Sequence, residues 1–207
     1  RHRAEIISKY IDKDSTILDI GCGDGTVLDY LSKNCSPKDL VGVDISKKAV
    51  EHTKKRGYTA YQMDASSGDF EKFLENKSFD YIIITEVLEH IQNPEDVIQA
   101  CKGHVNKSLF VSIPNMGFFI HRLRLLFGRA PLVVIQLHVK EHIRFWTHND
   151  FLYWCGHLGF PVKNYRVSAS FCPFGIDLGK AWPSLFGEQI VYVLKQSDGT
   201  ETNSPDP

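Results

Sequence analysis

Several features that would announce a function at once are missing from this 207-residue chain. There is no CxxC pair. The five cysteines (Cys22, Cys35, Cys101, Cys155, Cys172) are odd in number and scattered, which argues against a disulfide framework or a cysteine zinc site and for reduced thiols in a cytoplasmic protein. Neither charge is in excess: 24 Lys and Arg stand against 25 Asp and Glu, so the balance carries no electrostatic footprint for nucleic acid or a membrane surface. No apolar run is long enough to span a bilayer, and the charged opening RHRAEIISKY is no signal peptide. The first residue is arginine rather than methionine, which leaves room for a native N-terminus upstream. Internal repeats are also lacking.

What the chain does have is alternation. TILDIG reads as a buried strand, followed by TVLDYLSKN with apolar residues at helical spacing. LVGVDIS, TAYQMDA, FDYIIITEV and SLFVSIPN supply four more strands, and FDYIIITEV, the most apolar, is expected at the sheet centre. Between them, KKAVEHTKKRG is a helix closed by Gly57, and Asn93-Pro94-Glu95-Asp96 reads as a cap, a first-turn proline and two first-turn acids. Such alternation predicts a Rossmann-like, doubly wound α/β fold with helices on both faces. VKNYRVSA and EQIVYVLKQ complete a mostly parallel seven-stranded sheet with an antiparallel edge strand. Thr147, three residues before Asp150, is placed to cap a late helix. We expect one domain over 1–195, interrupted by insertions at 117–146 and 171–187, with a polar, disordered tail at 196–207.

The first strand runs into Gly21-Cys22-Gly23-Asp24-Gly25-Thr26. Such turns hold dinucleotides, nucleoside triphosphates or phosphate-free cofactors. The P-loop ending GK[ST] is absent, and threonine stands where the dinucleotide fingerprint wants glycine or alanine. Asp19 and Asp24 would repel a pyrophosphate but suit a ligand bearing a cation. Asp44, ending the second strand, is placed for ribose hydroxyls, and Asp64 for an adenine amino group. An amino-acid head, a ribose and an adenine without phosphate describe S-adenosylmethionine. Cys22 also has a plainer reading, as a small side chain filling a tight turn.

In order and spacing, ILDIGCGDG, VGVDIS, QMDA and FDYIIITEVLEHI resemble the motifs of class I S-adenosylmethionine-dependent methyltransferases over roughly residues 4–115. The resemblance implies that Gly21 and Gly23 approach the methionine part of the cofactor, with Asp19 near its amino group and Cys22 among the cofactor-binding residues. Asp44 would meet the ribose and Asp64 with Ala65 the adenine; Ile45 joins the cofactor-binding residues, and Thr85 and Glu86 would line the pocket. SIPNMGFFIHRLRLLFGRAP and EHIRFWTHNDFLYWCGHLGF are similar to the MetW-like branch, close to the methyltransferase type 11 group. That branch implies partnership with a homoserine acyltransferase.

Methyl transfer from a sulfonium is in-line displacement, and a hydroxyl or amine acceptor must also lose a proton. Glu86 and His90 are four apart in TEVLEH and would share a helical face, making His90 the first candidate base; a histidine merely bonded to Glu86 is the competing reading. HVKEH, 138–142, matches the HxxEH zinc pattern without a helical context, so no metal is expected. His138 and His142 are placed instead on the acceptor side, with Asn115, Arg122, Arg124 and Arg144, as a basic, aromatic site for an anionic small molecule. A solvated helix face or a partner surface is the plainer alternative.

Nucleic-acid base methylation is disfavoured: the Asn/Asp-Pro-Pro-aromatic motif is replaced by TEVL, and the pI is 6.8. The expectation is a methyltransferase for a small metabolite, in cell-surface sugar or secondary metabolism, with O-methylation favoured over N-methylation. The rival is a MetW-like cofactor-binding partner that regulates the acyltransferase; a nicotinamide-dependent reductase comes third. Self-association as a homodimer is left open.

Overall fold

The computed structural model describes residues 2–131 and 142–196. Seven strands form one sheet in the order β3-β2-β1-β4-β5-β7-β6. They are β1 (Thr16–Ile20), β2 (Asp39–Asp44), β3 (Thr59–Gln62), β4 (Phe79–Thr85), β5 (Val105–Pro114), β6 (Val162–Ser170) and β7 (Gly187–Leu194). β1 to β5 pair in parallel, and β4 lies at the centre, as its apolar run predicted. β7 supplies the antiparallel strand: it inserts between β5 and β6, pairing antiparallel with both, so the outermost position falls to β6.

Strand alternation sends neighbouring side chains to opposite faces of the sheet. On one face Leu18, Ile20, Ile82 and Ile84 pack with residues of the helices α4 (Gly68–Leu74), α5 (Pro94–Ala100) and α7 (His148–His157). On the other, Ile17, Tyr81 and Ile83 pack with α1 (His2–Ser8) and α2 (Thr26–Cys35). Among the described residues the remaining α-helices are α3 (Lys47–Lys55), α6 (Phe119–Leu126) and two single turns, α8 (Leu178–Ala181) and α9 (Pro183–Phe186).

Local signals mostly hold. Thr147 caps α7 in a reciprocal capping box with Asp150, and Gly57 takes φ 93° just past α3. Pro94 opens α5, but the Asn93 side chain makes no cap hydrogen bond. No helix among the described residues is long and apolar enough to cross a membrane. All five thiols are free, and only Cys172 is exposed. Of the expected tail, 197–207 lies outside the described residues.

Candidate active site

In an open α/β sheet, the crevice lies beyond the carboxyl ends of the strands, where winding reverses. Here it reverses between β1 and β4. A cleft of about 390 Å³ opens there, lined by the end of β1 (Ile20, Gly21), the end of β2 (Val43, Asp44, Ile45), the segment after β3 (Met63 to Ser66) and the segment after β4 (Glu86, Val87, His90 to Gln92). That volume falls within the roughly 300–1,000 Å³ of small-ligand sites.

The glycine turn is fixed by its neighbours. Gly21 has φ 75°, and a Cβ on it would lie 2.2 Å from Val87 Cγ2. Only glycine therefore lets the loop after β1 meet the loop after β4. Gly23, at φ 56°, faces open space. The Asp44 carboxylate braces both sides of the crevice, accepting from the Gly23 N–H (2.8 Å) and the Ser46 N–H (2.8 Å). Each of its oxygens keeps capacity for a further donor. Asp64 accepts from the Ser66 N–H and hydroxyl through one oxygen.

Asp19 is fully buried, and neither carboxylate oxygen has a hydrogen-bond partner. Burial, with Asp44 nearby, pushes its pKa up to about 8. A fold that leaves a carboxylate dry and unpaired has placed it for a cation or a proton. Asp24 does not share this role. It accepts from the N–H and hydroxyl of Thr26, the first residue of α2, and pairs with Arg56 at 3.1 Å. Its charge is thereby engaged at the surface.

Of the residues expected to hold the cofactor, Gly21, Asp44, Ile45, Asp64, Ala65 and Glu86 line the cleft together with His90. Gly23 borders it through its bond to Asp44. Thr85 ends β4 beside Ser112 and is not among the lining residues. Cys22 turns away: it is buried, its sulfur lies 3.9 Å from the Thr53 hydroxyl, and a side chain at Gly42 would strike it. Burial raises its thiol pKa to about 12. Cys22 fills the turn, its sulfur packed between Gly42 and Thr53.

The expected helical pairing of Glu86 and His90 needs correction. Glu86 adopts φ 56°, and Leu88–His90 form a single 3-10 turn, so the i,i+4 geometry does not arise. Glu86 accepts instead from the Ser112 hydroxyl (3.0 Å) and Gln189 Nε2 (3.1 Å), with Arg3 at 3.6 Å. His90 stands edge-on against His142, ring centroids 4.6 Å apart. Sequence reasoning missed Glu89, which is fully buried with both carboxylate oxygens unpartnered. Desolvation, then the Glu86 charge, raises its pKa to about 8. A second carboxylate directly before His90, in the segment after the apolar β4, was the available signal.

The acceptor-side cluster also changes. Asn115 is 1% exposed; its amide donates to the Gly187 carbonyl (2.7 Å), and its oxygen accepts from the Gly117 and His148 N–H groups. It pins β5 to the segments around it and presents no polar atom to a substrate. Arg122 donates to the Gly117 and Ser184 carbonyls, Arg124 to Ala130 and Arg144 to Gln92. Each of these guanidinium groups ties a loop to a backbone carbonyl. His138 lies outside the described residues.

The sheet order and the cleft at its switch point define the fold of class I S-adenosylmethionine-dependent methyltransferases. A solved member of that fold, magnesium protoporphyrin IX methyltransferase from Synechocystis PCC 6803 with bound SAH, superimposes with a TM-score of 0.64 at 14% identity, covering 94% of this chain and 80% of that one. The chain itself belongs to the family of methionine biosynthesis protein MetW, whose model matches residues 1–194. It is also similar to ubiquinone biosynthesis O-methyltransferases. That of Histophilus somni is 26% identical over 183 residues, 82% of this chain and 72% of that protein. That of Actinobacillus pleuropneumoniae is 26% identical over 67% of this chain and 62% of that protein. The chain thus spans about two thirds of the length of these relatives.

Proposed function

We propose that the cleft binds S-adenosylmethionine and that the protein transfers its methyl group to a hydroxyl of a small metabolite. One observation carries this reading: carboxylates stand at or just beyond the ends of β1, β2 and β3, with the β1 carboxylate buried and unpaired under a glycine turn. Asp19 would meet the charged amino-acid end of the cofactor, Asp44 the ribose and Asp64 with Ala65 the adenine. The cofactor supplies an electrophilic methyl group. The chain's own part is to hold it and to bring an acceptor oxygen past Glu86 and His90, where alignment does much of the work. The named relatives favour oxygen as the acceptor atom.

A second reading has its own support. The family match, together with the exposed Leu123, Leu125, Leu126 and Phe127 at the end of α6, fits a cofactor-binding partner of a homoserine acyltransferase. Incubation with methyl-labelled S-adenosylmethionine and a small-metabolite extract separates the two. Label in an alkali-stable small product upholds the enzyme. Absence of transfer, with co-purification of an acyltransferase, favours the partner.

A further inference from the structure

Among the described residues one group of side chains could hold a metal ion: Glu89, His90 and His142, whose donor atoms all lie within 4.8 Å of one another. Backbone hydrogen bonds build it. The Glu89 carbonyl accepts from the N–H groups of Ile143 (2.9 Å) and Arg144 (3.1 Å), which clamps the 142–145 segment onto the turn after β4. That clamp brings His142 against His90, edge to face at 66°. Independently, the Glu89 carboxylate is fully buried with no hydrogen-bond partner on either oxygen. A dry, unpaired carboxylate beside two imidazoles is an expensive arrangement unless a cation or a proton joins it.

We propose that Glu89, His90 and His142 form a binding site for a single divalent transition-metal ion on the wall of the cleft. Two imidazole nitrogens and one carboxylate suit borderline ions such as Zn²⁺, Fe²⁺ or Co²⁺ better than Ca²⁺ or Mg²⁺, which prefer all-oxygen shells. Three protein ligands leave coordination positions open. His90 lines the cleft, which puts the group at its wall, near the space where the acceptor would enter. Resting on the function proposed above, the ion would hold the acceptor oxygen and ease loss of its proton to solvent. The site differs from the HxxEH pattern read in the sequence, because the carboxylate and one histidine come from the turn after β4, some fifty residues before His142.

The test titrates Co²⁺, whose absorption reports its ligands, into chelator-stripped protein, with S-adenosylmethionine affinity measured separately. We expect one equivalent to bind. Glu89→Gln, which keeps shape and removes charge, and His142→Ala should each weaken Co²⁺ binding about 100-fold or more while far-UV circular dichroism stays native. His157→Ala, an exposed histidine elsewhere, should change nothing. No saturable Co²⁺ binding, or unchanged binding in both Glu89→Gln and His142→Ala, overturns the site. Cofactor binding without Co²⁺ binding overturns the site and spares the proposed function; Co²⁺ binding without cofactor binding upholds the site and breaks that function.

Discussion

The two halves of this chain use their charged residues in opposite ways. Before Asn115, acidic side chains gather at the strand ends of a parallel sheet: Asp44 and Asp64 line one cleft, and Asp19 is buried near the end of β1. After it, the basic side chains Arg122, Arg124 and Arg144 spend their donors on backbone carbonyls. A carboxylate at a strand end is placed by topology, and its job follows from the fold. An arginine in an insertion is placed by whichever unsatisfied carbonyl lies within reach.

The contrast breaks most sharply at Gly21. Its replacement by Ala meets Val87 and demands a left-handed backbone together, and should cost about 3 kcal/mol of stability. Gly23→Ala carries only the backbone penalty, about 1–2 kcal/mol. Denaturant unfolding of the two variants checks the difference; equal costs would mean that the loops do not meet at Gly21.

A second test concerns Asp19. Its folded pKa of about 8 lies well above an unfolded value near 4. A raised carboxyl pKa gives stability that is full below the unfolded pKa and is lost as pH rises through the folded one. The ligand-free protein should therefore lose about 1.4 kcal/mol per pH unit from this group across that window. Asp19→Asn should flatten its share of the slope, leaving a slope of the same sign from Glu89. An unchanged slope in urea melts between pH 5 and 8 would contradict the burial argument.

The smallest effect is expected in the second half. Arg122→Ala and Arg144→Ala each remove carbonyl contacts, and each should lower Tm by about 2–4 °C. If the arginines are braces, neither change should alter a preference between anionic and neutral acceptors. A selective loss of anionic acceptors would restore the binding role first read from sequence.

How far the molecule was legible follows the same division. Strand–helix alternation located β1 to β5, the central place of β4 and the acids at the strand ends, because a parallel sheet must present those ends to its crevice. The capping box of Thr147 and Asp150 was readable because it is local. The insertion of β7 between β5 and β6 was not, since antiparallel pairing over such separations leaves no mark in composition. Nor was the backbone break at Glu86, or the meeting of His142 with His90. That meeting rests on main-chain hydrogen bonds to Glu89, which side-chain patterns do not record. Asn115 looked like a ligand residue because a buried amide bracket and a binding amide read alike in one sequence.

If the cleft beyond β1, β2 and β3 is a cofactor site, Asp44 is the residue that organises it. Calorimetric titration of S-adenosylmethionine into the wild-type protein and Asp44→Ala tests it most directly. Saturable one-to-one binding is expected, weakened about 100-fold in the variant by loss of charged hydrogen bonds. No binding to the wild type, or equal binding to both, would contradict it.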